Sequence, residues 1–151
     1  MTRYAHTQIG HVIIWSLVGV IALIAIIGFV GSSPHREIPA FVLIILLVSL
    51  ALFYKLRITV EGDTLHASFG IGIIRKNLRL ADIAGCEAIR TRWWYGWGIH
   101  LTPYGWLYNV SGFDAVAITL RNGRKFALGT DDLGGLTAAI QLSRGAQAAS
   151  L

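Results

Sequence analysis

Two long hydrophobic runs stand out in the first third of the chain. Residues 12–30 include no charged residue, and as a helix they would extend roughly 28 Å, close to the thickness of a bilayer's hydrocarbon core. Residues 38–54 form a shorter run that still falls within the spanning range. A short polar turn, residues 31–37, separates the two runs. The pattern therefore predicts a transmembrane hairpin of two antiparallel helices, at about 12–30 and 38–54.

From residue 56 onward, short segments alternate apolar and polar residues, which is typical of half-buried strands. The predicted strands are 56–60, 64–69, 73–80, 83–90, 106–110, 115–120 and 124–128. Leu65, Ala67 and Phe69 should face inward on the second of these strands. Asn122 and Gly123 predict a tight hairpin turn between the last two.

The period changes again near the C-terminus. Asp131 and Asp132 are suited to cap a helix and to lie at its positive end. Leu133, Leu136 and Ile140 then recur at helical spacing and form one apolar stripe. The predicted organisation is an N-terminal tail and membrane hairpin over 1–55, a β domain with a C-terminal helix over 56–145, and a flexible tail over 146–151.

Composition and charge support a membrane protein and suggest its orientation. The chain is 54% hydrophobic, with a mean hydropathy of +0.60, which is too apolar for an ordinary soluble domain. Arg3, Lys55 and Arg57 flank the outer ends of the two runs, whereas the turn has Arg36 beside Glu37. The positive-inside rule then predicts a multi-pass inner-membrane protein with both termini cytoplasmic. A cleaved signal peptide fits less well, because the first run is long and a second run follows it.

Several motifs in the second half of the chain point to a family. They are Gly96-Trp97-Gly98-Ile99, Gly105, Tyr108-Asn109-Val110-Ser111-Gly112 and Gly129-Thr130-Asp131. With them, the chain resembles small bacterial membrane proteins that have a pleckstrin-homology-like (PH-like) domain, over about residues 94–140. The resemblance implies an α+β fold: a β-barrel or roll of roughly seven strands, capped by a C-terminal α-helix. Because His100 and Leu133-Gly134-Gly135 depart from the typical pattern, no site is transferred from that family.

No arrangement of residues predicts catalysis or ligand chemistry. Cys86 is the single cysteine, and the five histidines do not fall at metal-ligand spacing with acids or cysteine. The paired glycines lack the third glycine and the strand–helix context of nucleotide sites. We therefore expect a non-enzymatic protein with no cofactor, no metal and no nucleic-acid partner.

One surface emerges as a candidate for binding lipid or a protein partner. It comprises Arg75, Lys76, Arg79, Arg90, Arg92, Trp93 and Trp94. The tryptophans suit either the headgroup region of a membrane or an aromatic protein-binding surface. They also suit the core of a small barrel. Because adjacent strand residues point to opposite faces, we expect Trp93 and Trp94 to be split between core and surface.

The leading functional hypothesis is a membrane-anchored PH-like interaction module, acting as an adaptor or self-assembling scaffold at the inner face of the membrane. Its expected partners are the lipid bilayer, a second copy of the chain or another membrane protein. The alternative is a module that senses anionic lipid or membrane stress, because a basic domain beside a bilayer is attracted to anionic headgroups. A subunit role in a transporter or enzyme complex also remains open.

Overall fold

The computed structural model describes residues 2–30 and 37–148. Residues 31–36, which make up nearly all of the predicted polar turn, lie outside the described part of the chain. Met1 and residues 149–151, at the end of the predicted flexible tail, also lie outside it.

The described residues form an α+β fold with three α-helices and two sheets. The helices are α1 (His11–Val30), α2 (Glu37–Phe53) and α3 (Leu133–Ala148). The strands are β1 (Thr2–Ile9), β2 (Lys55–Glu61), β3 (Thr64–Phe69), β4 (Arg75–Arg79), β5 (Ile83–Arg90), β6 (Gly98–Thr102), β7 (Gly105–Asn109), β8 (Asp114–Leu120) and β9 (Lys125–Gly129). All seven predicted strands are present, and β1 and β6 are additional.

A four-stranded antiparallel sheet has the order β1-β2-β3-β4. Its first strand is a difference from the prediction, in which residues 2–9 belong to an N-terminal tail. Among residues 3–9 of this strand, Tyr4, His6 and Gln8 have the less exposed side chains, and these are polar or aromatic. Such an alternation gives no apolar period for a sequence pattern to reveal.

The second sheet has five strands in the order β5-β8-β9-β7-β6. All of its pairs are antiparallel except β7 and β9, which run parallel. A short 3-10 turn, Leu80–Asp82, leads the chain from β4 in the first sheet to β5 in the second. The described strands therefore make two sheets instead of the closed barrel or roll that the resemblance implied.

The main core contains apolar side chains from both sheets and from α3. Leu65, Ala67 and Phe69 are buried, as the alternation predicted, and so are Ile118 and Leu128 from the five-stranded sheet. The turn at Asn122-Gly123 is confirmed, since Gly123 N–H donates to the Leu120 carbonyl and Leu120 N–H donates to the Arg124 carbonyl.

Helix α3 packs against β5, β8 and β1. Leu136 and Ile140 of its apolar stripe are fully buried, and Leu133 is partly buried, which confirms the predicted face. The Asp132 carboxylate caps the helix by accepting a hydrogen bond from Gly135 N–H at 2.9 Å. The helix continues beyond its predicted end near Gly145 and reaches Ala148.

Helices α1 and α2 contact each other and expose most of their apolar side chains. Of the described helices, α1 contains a segment, His11–Gly28, that is long and apolar enough to cross a membrane, and none of that segment is buried. Helix α2 is apolar but shorter, at 17 residues. By length and composition, the structure thus supplies one candidate membrane span.

Candidate membrane-facing surface

The helices join the four-stranded sheet without a linker. Strand β1 leads through Gly10 into α1, and α2 leads through Tyr54 into β2. Gly10 N–H donates to the Tyr54 carbonyl at 2.8 Å, and the last residue of β1, Ile9, pairs with Lys55. The β1–β2 ladder therefore closes the base of the helix pair and fixes where the sheet lies relative to both helices.

The loop between β3 and β4 lies against the last turn of α2. Ile71 N–H donates to the Ala51 carbonyl at 3.3 Å. Gly70 has a φ of +48°, and a Cβ at this position would collide with the Ala51 and Leu52 carbonyls. The loop exposes two isoleucines, Ile71 at 63% and Ile73 at 69%. These apolar side chains therefore extend from a loop held at the base of the helices.

Two cations accompany this loop. The Arg75 Nε–H donates to the Gly72 carbonyl, and the Lys55 ammonium lies 5.0 Å from the centre of the Tyr54 ring. Cations beside aromatic and aliphatic side chains are typical of protein surfaces at the membrane–water interface.

The tryptophan-rich segment forms a short 3-10 turn, Trp93–Tyr95, instead of a strand. Trp93 is 73% exposed and Trp94 is 56% exposed, so the prediction that the pair would be split between core and surface is wrong. The alternation on which it relied applies to strands, and this segment is not one. The two rings meet edge to face with centroids 5.8 Å apart, and the Arg92 guanidinium lies 4.8 Å from the Trp94 ring.

Other aromatic residues of the same segment do pack. Tyr95 lies against a small buried cluster of Leu107, Ala115 and Ala127 on the five-stranded sheet. The Trp97 indole N–H donates to the Gly112 carbonyl at 3.2 Å. The loops before β6 and before β8 are thus tied together.

The structure separates the seven predicted surface residues into two groups, one on the four-stranded sheet and one at the end of β5 and in the turn that follows it. Arg75, Lys76 and Arg79 belong to β4, at the edge of the four-stranded sheet. Arg90 ends β5, and Arg92 precedes the Trp93–Tyr95 turn. All are exposed except Lys76, which is partly buried.

A cleft that the sequence analysis missed lies between the helices and the five-stranded sheet. Its volume is about 450 Å³. The lining residues are Val12, Ile13, Ser16 and Leu17 from α1, Ser49 and Phe53 from α2, and Trp97, Gly98, Ile99 and His100. The available signal was the pair of hydroxyl residues, Ser16 and Ser49, inside otherwise apolar helices.

Strand β1 is also held to the start of α3. The Tyr4 hydroxyl donates to Asp132 at 3.1 Å, and the His6 ring nitrogen lies 2.5 Å from Asp131. Burial, followed by the nearby Asp132 carboxylate, raises the pKa of the Tyr4 hydroxyl above its usual range. Asp131 and Asp132 thus serve as anchoring and capping groups.

Among the described residues, no group of His, Cys, Asp and Glu side chains is arranged to hold a metal ion. Comparison of the chain with protein-family models, with curated proteins and with solved structures found no match.

Proposed function

We propose that this chain is a non-catalytic, membrane-anchored interaction module that self-assembles as a scaffold. In this proposal α1 and α2 cross the inner membrane as an antiparallel hairpin, and both termini and both sheets lie on the cytoplasmic side. The PH-like relationship is part of the proposal, and it is supported by the sequence motifs and by the packing of α3 against the strands.

We infer self-assembly from the exposed edge of the five-stranded sheet. Strand β6 is an edge strand and contains no charged residue. Leu101 is 72% exposed and lies beside the half-exposed Trp106, its partner in the β6–β7 ladder. An edge strand without charged residues is a ready template for another strand, because its outer backbone N–H and C=O groups have no partner within the sheet.

A second copy of this chain is the occupant that fits best. Two copies anchored in one membrane share their orientation, so their β6 edges lie at the same height above the bilayer. A two-fold axis perpendicular to β6 would then pair β6 with β6 antiparallel, joining two five-stranded sheets.

The test is the mass of the full chain extracted in mild detergent. We expect a dimer for the natural chain and a monomer for Leu101→Lys, because a charged residue on an edge strand discourages pairing. Ile73→Lys is the matched control, since Ile73 is similarly exposed but lies in the β3–β4 loop of the other sheet. A natural chain that is monomeric at all concentrations, without a co-purifying protein, would contradict the scaffold.

Topology is tested separately with reporters. A reporter enzyme that works only in the cytoplasm should be active when it is fused after Leu151. One that works only outside the cytoplasm should be active when it is inserted at Ser33. If a reporter that works only outside the cytoplasm is active at the C-terminus, the orientation predicted from the positive-inside rule is wrong.

A second candidate function is the sensing of anionic lipid, and the positions of Arg75 and Arg92 favour it. Both cations accompany exposed apolar or aromatic side chains. With the full chain in nanodiscs, tryptophan emission should differ between anionic and neutral lipid, and salt should reduce the difference. The change should disappear in the Trp93→Phe/Trp94→Phe variant. Equal emission in both lipids would exclude sensing through this segment.

A further inference from the structure

Hydrogen bonds brace both walls of the cleft between the helices and the five-stranded sheet. Gly10 N–H and the Tyr54 carbonyl fix the base of the helix pair. On the other side, the Trp97 indole is tied to the Gly112 carbonyl, and the His100 ring nitrogen lies 2.7 Å from the Trp97 carbonyl. The walls therefore belong to two separately braced units, and the space of about 450 Å³ is comparable to a small-molecule site.

The chemistry of the walls is apolar. Seven of the lining residues offer aliphatic or aromatic side chains or a glycine, and the rest are Ser16, Ser49 and His100. The Ser49 hydroxyl donates within its own helix to the Ile45 carbonyl at 2.8 Å. The interior thus favours a ligand with a long apolar part, because burying an unpaired polar group there would be unfavourable.

The location of the cleft identifies the class of ligand. Val12, Ile13, Ser16 and Leu17 belong to the segment that is long and apolar enough to cross a membrane. In a bilayer, the medium next to these residues consists of lipid acyl chains. An apolar cleft that opens beside the bilayer would be filled by that medium in preference to water.

We propose that this cleft binds one acyl chain of a membrane phospholipid, an inference that relies on the proposed membrane anchorage of α1. The acyl chain of the lipid lies between Phe53 and Ile99 and against the first turns of α1. His100 is exposed at the cleft, where one of its ring nitrogens is held by the Trp97 carbonyl. The lipid thereby fills the gap between the helices and the five-stranded sheet.

The test uses the full chain reconstituted in nanodiscs of phosphatidylglycerol and released for native mass spectrometry. We expect about one retained phospholipid per natural chain, because the cleft has room for a single site. Ser16→Phe places a ring inside the cleft and should lower the lipid-bound fraction about tenfold. Ala22→Phe adds the same ring to an exposed position of α1 outside the cleft, and it should retain the lipid.

A second variant that fills the cleft and a fluorescence measurement distinguish loss of the lipid site from misfolding of the protein. Ser49→Phe approaches the cleft from α2 and should reproduce the loss, with thermal unfolding of each variant as the folding control. In lipid with brominated acyl chains, Trp97 should be quenched by contact. The quenched share of the emission should therefore fall in Trp97→Phe and in Ser16→Phe, but not in Ala22→Phe.

Each outcome has a distinct meaning. If alkaline carbonate releases the chain from membranes, the membrane anchorage fails and the cleft proposal fails with it. If the chain stays in the membrane but both filled variants retain lipid and quenching, only the cleft proposal is overturned. Retention of a free fatty acid, or of a second chain without lipid, would also overturn it.

Discussion

The two sheets are joined to the hydrophobic helices in different ways. The four-stranded sheet continues into them through the backbone, since β1 enters α1, α2 enters β2, and Gly10 binds Tyr54. The five-stranded sheet faces the same helices across a cleft lined by Trp97, Ile99 and His100. The position of the first sheet is therefore fixed by covalent continuity and hydrogen bonds. That of the second depends on packing in the core that the two sheets share, and on contacts such as the hydrogen bond from the Gln8 side chain to the Ser111 carbonyl.

The largest expected effect would break the junction between the first sheet and α2. Gly70 and Gly62 have similar φ angles of +48° and +54°, and Gly70 alone of the two lies against backbone carbonyls. A left-handed conformation costs a non-glycine residue about 1–2 kcal/mol. We expect Gly62→Ala to lose about that much, and Gly70→Ala to lose roughly 2 kcal/mol more through the clash. Thermal unfolding in detergent measures both, and equal losses would mean that the loop does not bear on α2.

A smaller effect concerns the contact that ties β1 to α3, and through α3 to the five-stranded sheet. Tyr4→Phe removes the hydrogen bond to Asp132 and should lower the free energy of unfolding by about 1 kcal/mol. Because the pKa of Tyr4 is raised in the folded state, the unfolded chain loses this proton first as pH increases. The stabilisation is complete below about pH 10, the usual tyrosine value, and is lost above it.

The measurement is the unfolding free energy at neutral and alkaline pH for both forms. The difference between the natural chain and Tyr4→Phe should shrink as pH rises above about 10. A difference that stays constant or grows would show that Tyr4 is not a neutral donor to Asp132.

Still smaller is the expected effect of the exposed tryptophans beside the five-stranded sheet. The Trp93→Ser/Trp94→Ser variant should lose less than about 1 kcal/mol, because both rings are more than half exposed. Leu107→Ala, at a fully buried position of the same sheet, should lose about 2–5 kcal/mol. If the double variant is unfolded, as detected by rapid proteolysis, the prediction is wrong and the two rings are needed for the stability of the domain.

The last prediction leaves stability unchanged and compares the two exposed apolar surfaces. Ile73→Trp places a reporter in the β3–β4 loop and Leu101→Trp places one on β6, at positions of similar exposure, 69% and 72%. If the β3–β4 loop contacts the bilayer and β6 contacts a second copy, brominated acyl chains should quench the reporter at position 73 and not the one at 101. Equal quenching at both positions would show that the β3–β4 loop and β6 do not differ in their contact with the bilayer.

The sequence was most informative where a signal is local. The strand at 64–69, the turn at Asn122-Gly123 and the Asp132 cap each depend on residues within a few positions of one another. The candidate surface was only partly predictable. Arg92, Trp93 and Trp94 do lie together, but the exposure of both rings follows from a 3-10 turn that periodicity does not encode.

The apolar helices, the alternating strands and the amphipathic face of α3 can be read from the sequence, because hydrophobic period and turn chemistry are properties of neighbouring residues. The strand at residues 2–9, the division of the strands into two sheets and the cleft beside α1 become visible in the folded chain and not before. They depend on contacts between residues that are far apart along the chain. Tyr4 and Asp132 are 128 positions apart, and packing alone brings such partners within hydrogen-bonding range.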